Sequence, residues 1–362
     1  MEHLQIPRAP GRAALSNATG RYEQRKLETF DDGWPRDADD APAKLRTTVT
    51  PDKARSIIAR NTSPDIGFDR SINPYRGCEH GCIYCYARPS HAWLGLSPGL
   101  DFETRLFAKH DAAALLRKAF MAPGYKPAMI AIGTNTDPYQ PIERRLKIMR
   151  ALLDVLLEFR HPVSITTKSD AVVRDLDPLQ AMARLNLVHV TISVTSLDKS
   201  IARSLEPRAA APHRRLAAIR TLADAGVPTA VNVAPVIPGL TDHELEAILK
   251  AAAEAGASSA RYIALRLPIE VKDLFEEWLR AEHPHRADKV LSLIRGMRGG
   301  KLNESAFGAR MKGAGPYADL IAARFARAVK RLGLDRRQEE AWLSTEGFLR
   351  PAASARQLSL GF

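Results

Sequence analysis

The chain has 362 residues, of which 45% are hydrophobic and 26% are charged, a composition typical of a globular protein with one sizeable core. Its formal net charge of +12 favours polyanionic partners such as nucleic acid, although many basic proteins bind none. No apolar run approaches the roughly 18–20 residues that span a bilayer, and the first residues lack an apolar stretch of signal-peptide type. We therefore expect no membrane association and a cytoplasmic location.

The first part of the chain, residues 1–65, is rich in Arg, Pro, Ala, Asp and Thr and has little apolar periodicity. This composition predicts an irregular N-terminal arm, ordered where it lies on the main domain.

From about residue 68, short apolar runs alternate with longer helical ones. Short strands are predicted near 72–75 and 103–108, and longer ones at 128–134, 163–168, 187–194, 229–237 and 260–267. The predicted helices are 111–121, 141–159, 178–184, 212–225, 242–254 and 271–281. This alternation indicates parallel strands joined by crossovers, and so an α/β domain over 66–282: a full or partial barrel, or a doubly wound sheet.

No further βα unit is evident after residue 282. Residues 283–337 carry 13 Lys and Arg against 4 Asp and Glu, a net charge of +9. One helix is predicted over 317–332, with Leu320 among the apolar residues on one face. We predict a basic helical extension over 283–350 and a flexible tail over 351–362. The helix could be a solvated cover for the barrel end or a nucleic-acid surface, and both remain open.

All three cysteines of the chain, Cys78, Cys82 and Cys85, lie within eight residues. An odd count in a large chain without a secretory signal argues against a disulfide framework. Zinc would need a fourth ligand, which His80 or His91 could supply. An iron–sulfur cluster held by three thiolates would leave one iron open for chemistry. These alternatives both predict a metal centre at the three cysteines.

The run CEHGCIYC resembles the CxxxC-x-aromatic-C signature of radical S-adenosylmethionine enzymes, with Tyr84 in the aromatic position. The resemblance implies a 4Fe-4S cluster on the three thiolates and S-adenosyl-L-methionine on the open iron. Reduction then yields a 5′-deoxyadenosyl radical that abstracts hydrogen from the substrate. It also implies a partial (β/α)6-type TIM barrel, with the cysteine loop after the first strand, and a reducing electron donor of flavodoxin or ferredoxin type.

Within this superfamily the chain is most similar to the branch of spore photoproduct lyase and the proteins often labelled DNA repair photolyases. The similarity rests on NPYRGCEHGCIYCYAR (73–88), GTNTDPYQPIE (133–143), TTKS (166–169), TISVTSLD (191–198), EPRAAAP (206–212) and PVIPGLTD (235–242). It implies contacts with the cofactor's amino end, carboxylate, ribose and adenine. The residues implied are Gly133, Thr134, Asn135, Thr136, Lys168, Ser193 and Ile237.

All of these residues except Ile237 also have an ordinary structural explanation: a polar turn at 133–136, a surface position for Lys168 and a backbone-bonded buried hydroxyl for Ser193. Glu206 and Arg208 could form an ion pair or bind substrate.

The hydrogen donor of spore photoproduct lyase is a further cysteine, which this chain lacks. A different donor, such as Tyr139 or Tyr75, or a different reaction is therefore required. The reaction, of lyase or oxidoreductase type, stays unassigned.

The chain ends in QLSLGF, which resembles short tails that dock bacterial repair proteins and polymerases onto the DNA sliding clamp. In that interpretation Leu358, Leu360 and Phe362 are apolar anchors and Gln357 sets the register. The alternative is that this apolar end packs on its own domain.

The leading prediction is a radical S-adenosylmethionine enzyme that acts on nucleic acid, with DNA as a partner. Two alternatives remain: radical modification of a protein or small molecule, and a zinc-stabilised nucleic-acid-binding protein without catalysis.

Overall fold

The computed structural model describes residues 9–23, 45–335 and 343–351. The predicted clamp-binding residues Gln357, Leu358, Leu360 and Phe362 lie outside the described residues. In chain order the strands are β1 (Thr48–Pro51), β2 (Ile58–Arg60), β3 (Arg70–Ile72), β4 (Tyr75–Arg76), β5 (Arg105–Ala108), β6 (Ile130–Ile132), β7 (Val163–Thr167), β8 (Val188–Ser193), β9 (Thr229–Val236) and β10 (Ser259–Ala264).

The α-helices are α1 (Leu100–Thr104), α2 (Ala112–Met121), α3 (Glu143–Leu146), α4 (Ile148–Glu158), α5 (Leu176–Ala183), α6 (Lys199–Leu205), α7 (Pro212–Asp224), α8 (Leu245–Glu254), α9 (Val271–Glu282), α10 (Pro284–Met297), α11 (Ala309–Lys312) and α12 (Pro316–Leu332). Short 3-10 helices cover Arg88–Leu94, Asp170–Asp175 and Asp242–Glu244. No helix in the described ranges is long and apolar enough to cross a membrane.

The larger sheet has the order β10-β9-β8-β7-β6-β3-β2, with parallel pairing from β3 to β10 and antiparallel β2 at one edge. In the described residues this sheet is open, since β2 and β10 are its edges. Helices pack against its central strands, which are almost wholly buried. Along β8 the apolar Val188, Val190 and Ile192 alternate with buried polar side chains, so one face of the strand is apolar and the other is polar. The sequence-predicted α/β class, with parallel strands and crossover helices, is confirmed.

A smaller sheet has the order β1-β5-β4, and its strand β4 ends two residues before Cys78. β1 and β2 fall within the predicted irregular arm, and their pairing with later strands could not be seen in the local composition. The arm also reaches the interior: Arg12 is 1% exposed and donates hydrogen bonds to the carbonyls of Glu103 and Leu45.

The single helix predicted over 141–159 is divided into α3 and α4 at Lys147, whose φ is +52°. The buried carboxylate of Glu143 accepts the backbone N–H groups of Ile148 and Met149, so it caps the start of the second helix. α6 and α10 were not predicted as helices. Leu320, which was grouped with the apolar face of α12, is 52% exposed, whereas Ile321 and Phe325 of that face are buried.

The end of the described chain returns beneath the amino-terminal ends of the strands. Phe348 lies in an aromatic group, with ring centroids 5.7–6.3 Å from those of Phe120, Tyr125, Phe159 and His161. Arg350 donates to the carbonyls at the end of α2 and in the turn that follows it. Packed aromatic side chains therefore cover the amino-terminal end of the sheet.

Candidate active site at the cysteine loop

The cysteine loop, residues 77–88, follows β4 near the carboxyl-terminal edge of the parallel strands. Gly77 and Gly81 have φ values of +77° and +66°, which side chains other than glycine rarely adopt. A Cβ atom at Gly81 would lie 2.6 Å from a carboxylate oxygen of Glu103. The backbone N–H groups of Gly81 and Cys85 bond to the carbonyls of Cys78 and Cys82. The loop is therefore a pair of tight turns.

Arg88 holds this loop from inside. Its side chain is fully buried and donates to four carbonyls, those of Cys82 (2.9 Å), Gly81 (3.0 Å), Pro98 (3.0 Å) and Gly99 (2.9 Å). The remaining bond joins the guanidinium to Glu103 at 2.6 Å. Glu103 in turn accepts the backbone N–H groups of residues 13 and 14 in the N-terminal arm. One buried ion pair thus connects the arm to the cysteines.

The three thiols share one buried environment. Burial raises the pKa of Cys78, and the nearby Asp137 and the thiols of Cys82 and Cys85 raise it further. Burial also raises the pKa of Cys82 and Cys85, while the charge of Lys168 opposes this effect at both. All three cysteines are free, Cys78 and Cys82 buried and Cys85 half-buried. The sulfurs therefore lie within electrostatic range of one another and of a cation.

The loop after β6, residues 133–136, is attached to the cysteine loop. Thr136 donates to the carbonyl of Gly77 at 2.7 Å, and Gln140 donates to the Thr136 hydroxyl at 3.0 Å. Asn73 bonds to the hydroxyl of Thr134 and accepts the backbone N–H of Asn135 at 2.8 Å. The hydroxyls of Thr134 and Thr136 and the backbone N–H of Asn135 thus have partners within the protein. The side chain of Asn135, by contrast, is exposed.

Gly133 allows this loop to approach β7 closely. Its φ is +94°, and a Cβ atom there would lie 2.1 Å from the carbonyl oxygen of Thr166. Only glycine fits such a contact without movement of the backbone.

Asp137 joins three segments of the site. Its carboxylate accepts the hydroxyl of Thr167 (2.6 Å) and the backbone N–H of Lys168 (2.7 Å), and it lies 3.3 Å from Nδ1 of His80. Burial would raise the pKa of Asp137, but His80 and these hydrogen bonds lower it to about 2. The carboxylate is therefore ionised and holds the end of β7 beside the cysteine loop.

A second buried carboxylate, Glu206, lies on the other side of the cysteines. It accepts hydrogen bonds from Tyr84, from Thr195 at 2.6 Å and from the guanidinium of Arg215. Lys168 lies 3.9 Å away. Burial would raise the pKa of Glu206, yet Arg215 and Lys168 lower it to about 2. Tyr84 is thus anchored by an ionised carboxylate.

Lys168 extends over the cysteine loop. Its ammonium group donates to the carbonyl of Ala234 at 3.2 Å and lies 5.7 Å from the ring centroid of Tyr84. The side chain is 16% exposed, which differs from the open surface position that was the structural alternative.

Two other predicted cofactor residues are buried at the ends of β8 and β9. Ser193 is 2% exposed, and its carbonyl accepts a hydrogen bond from Arg215 at 3.0 Å. Ile237 is fully buried, and its backbone N–H and carbonyl both bond within the turn at 237–242. Their roles toward a cofactor stay predictions.

The three substrate candidates do not form one group. Glu206 pairs with Arg215, so the possible ion pair with Arg208 is not formed. Arg208 instead bonds to Glu79 at 3.1 Å, in the cysteine loop. Tyr139 is 1% exposed, and its ring lies under Arg174, whose guanidinium pairs with two carboxylates. This interior position does not favour direct contact between Tyr139 and a substrate.

Across the described ranges, no group of three or more His, Cys, Asp and Glu side chains is arranged to hold a single metal ion. In a four-iron cluster each thiolate binds a different iron, so the three cysteines would not have to converge on one point.

The sequence profile of the radical SAM superfamily matches residues 72–252, half of the chain, and this span includes the cysteine loop and β6 to β9. The chain belongs to the radical SAM superfamily. A Mycobacterium tuberculosis protein is 37% identical over 230 residues, which cover 63% of this chain and 68% of that protein. A Methanocaldococcus jannaschii protein is 28% identical over 173 residues, covering 48% and 62%.

Among solved structures, spore photoproduct lyase complexed with dinucleoside spore photoproduct has a TM-score of 0.57 at 17% identity. The match covers 78% of this chain and 79% of that one. A double mutant of the lyase with bound AdoMet and dinucleoside spore photoproduct has a TM-score of 0.54 at 18% identity, with the same coverage of both chains. At these identities the likeness establishes the fold alone, which this chain shares with spore photoproduct lyase.

Several residues that build this radical SAM site were not singled out from the sequence. Arg88 and Asp137 stand inside the recognised motifs, so their position was a usable signal. Glu103 and Arg215 stand outside them and are separated from their partners by 15 and 9 residues. Only burial marks these two, because a buried charge needs a charged partner.

Proposed function

We propose that this protein binds a 4Fe-4S cluster through Cys78, Cys82 and Cys85 and reductively cleaves S-adenosyl-L-methionine. The observation that most directly supports this proposal is the cysteine loop. It holds three free thiols that interact electrostatically with one another. Arg88 fixes the loop at the carboxyl edge of a parallel sheet. Three thiolates leave one iron of a four-iron cluster without a protein sulfur. When both groups are bound, they supply a radical that abstracts hydrogen from the substrate.

The chain's own residues would perform the supporting tasks. Lys168 would attract the cofactor carboxylate, since its ammonium group lies above Tyr84 and beside the thiols. Asn135 and the 133–136 loop would face the amino end of the cofactor, with Ser193 and Ile237 near its ribose and adenine. Glu206 would position Tyr84 through their hydrogen bond.

We further propose that the substrate is a nucleic acid, in a reaction related to DNA repair. The support is the fold shared with a lyase whose complex holds a dinucleoside photoproduct, together with the net charge of +9 over residues 283–337. The chain has three cysteines in all, so a thiol beyond the cluster ligands does not serve as hydrogen donor.

This function would require an electron donor, a cellular location and a route to DNA. Radical SAM enzymes need a reductant, here an electron donor of flavodoxin or ferredoxin type in the cytoplasm. The terminal QLSLGF would dock onto the bacterial sliding clamp. A clamp partner would bring the enzyme to DNA without any contribution from the barrel.

Anaerobic purification followed by iron and sulfide analysis tests the central proposal. We expect about four irons per chain and formation of 5′-deoxyadenosine when dithionite and S-adenosylmethionine are added. Cys82→Ala should lose both, whereas the control Ser90→Ala, in the adjoining 3-10 helix, should keep both. Zinc in place of iron, with no cofactor cleavage, would contradict the proposal and favour a non-catalytic binding protein.

A further inference from the structure

Two exposed aromatic rings lie near the cysteine edge of the sheet, each beneath a guanidinium. Tyr86, the residue after Cys85, is 45% exposed and lies 4.5 Å from the guanidinium carbon of Arg266. Phe307 is 59% exposed and lies 4.8 Å from that of Arg310. We call these four residues, Tyr86, Arg266, Phe307 and Arg310, the aromatic–arginine ledge.

The ledge is continuous from the cysteines outward. Arg266 follows β10, and its guanidinium lies over the ring of Tyr86, the residue after Cys85, and 3.7 Å from the sulfur of Met311. Met311 is the neighbour of Arg310, whose charge in turn acts on Arg266. The two ring–guanidinium pairs therefore belong to one surface that begins beside Cys85.

The outer part of the ledge is fixed in place. Asp65 accepts the backbone N–H of Gly308 at 3.0 Å and Nε of Arg310 at 2.7 Å. At the other end of the segment, Arg298 donates to the carbonyls of Leu265 (2.6 Å) and Ala309 (2.7 Å). Phe307 is therefore presented to solvent by an anchored segment, which lowers the entropy cost of binding.

Charge and ring faces together specify the kind of partner. The segment 298–315 carries four cationic side chains and one carboxylate, and Asp65 adds a second carboxylate beside Arg310, so the net charge of +2 still favours a polyanion. Aromatic side chains beside cations stack nucleobases, whereas in a duplex the base faces are covered by their neighbours. We propose that the ledge binds unpaired nucleotides of a nucleic-acid strand and leads that strand to the cysteine site. This inference rests on the proposed function for its destination, not for the binding itself.

Fluorescence anisotropy with the full chain, purified anaerobically, tests the ledge. The probes are a labelled strand of about 15 nucleotides, the length that one such surface can cover, as DNA and as RNA, and a DNA duplex of the same sequence. Phe307→Ala should weaken binding of either strand about fivefold or more, the loss expected for about one stacked base, and change duplex binding little. Phe307→Trp should retain the affinity of the parent chain.

A matched control is Trp93→Ala, because Trp93 is 71% exposed and its ring packs against Tyr22, which is not a residue of the ledge. This variant should bind like the parent. Unchanged strand binding by Phe307→Ala, or an equal loss in Trp93→Ala, would overturn the inference. So would an equal loss of strand and duplex affinity, which would mean that the ring does not stack on unpaired bases.

The outcome is separable from that of the proposed function. Cofactor cleavage without an effect of Phe307→Ala would reject only the ledge. Ring-dependent strand binding by a protein that does not cleave the cofactor would reject only the radical chemistry.

Discussion

The two ends of the parallel sheet are held together by different interactions. At the carboxyl edge, buried charged groups such as Arg88, Asp137 and Glu206 bond to backbone and side chains around the cysteines. At the amino-terminal end, Phe348 packs against four other rings. Hydrogen bonds are directional and fix the orientation of a loop, whereas apolar packing stabilises without fixing one geometry. The contrast suggests orientation at one end and stability at the other.

The largest effect is expected from Arg88→Met, which removes the buried guanidinium that holds the cysteine loop at the carboxyl edge of the sheet. It would leave Glu103 charged and unpaired in the interior and four carbonyls without a donor. We expect the free energy of unfolding to fall by about 3–5 kcal/mol, measured by denaturant titration with circular dichroism.

The matched control for this change is Arg150→Met, which breaks an exposed pair with Asp177 and should cost less than about 1 kcal/mol. Equal losses in the two variants would show that the buried pair does not hold the edge.

The Phe348→Ala variant removes one ring from the aromatic group at the amino-terminal end of the sheet. Because the side chain is only partly buried, we expect a loss of about 2 kcal/mol, below the range for fully buried rings. Iron content and 5′-deoxyadenosine formation, measured below the new melting temperature, should stay unchanged. Phe348→Leu should recover most of the stability. A loss of iron in Phe348→Ala would mean that the two ends are not independent.

A smaller effect at the amino-terminal end should depend on pH. His161 stacks on Phe120, with ring centroids 4.4 Å apart, and burial lowers its pKa to about 4 from an ordinary value of 6.5. The neutral ring is favoured in the folded state, so this stability is complete above pH 6.5 and is lost as the pH falls towards 4.

We therefore expect His161→Gln to unfold with a weaker dependence on pH between 7 and 5 than the parent chain. The difference should be of the order of 1–2 kcal/mol over that interval, from denaturant titrations at both pH values. His110→Gln, at an exposed position, should keep the parent slope. An unchanged slope in His161→Gln would assign the pH dependence to other groups.

Much of the fold could be predicted from local pattern. The strands at β7, β8 and β9 were placed to within one residue at each end, since short runs rich in Val, Ile and Thr between helical segments indicate strands. The break at Lys147 could not be predicted, because it depends on a carboxylate that caps the second helix from within the chain's interior. The strands β1 and β2 were missed for a similar reason, since their partners lie far along the chain.

The candidate site divides in the same way. The cysteine spacing indicated a metal centre directly, because the spacing of three thiols within eight residues is a local property of the sequence. The partners of Glu206 and Arg208 could not be assigned from the sequence, because several oppositely charged residues lie at similar distances along the chain from each of them.

The sequence by itself determined the α/β class, the superfamily and the three thiols, since periodicity and spacing are properties of neighbouring residues. Only the tertiary structure decided that Arg88 and Glu103 join the N-terminal arm to the cysteine loop, and that Arg215 pairs with Glu206. It also brought Phe307 and Tyr86 onto one surface with two arginines. The physical reason is burial: a charge excluded from water must find its partner wherever the fold places one.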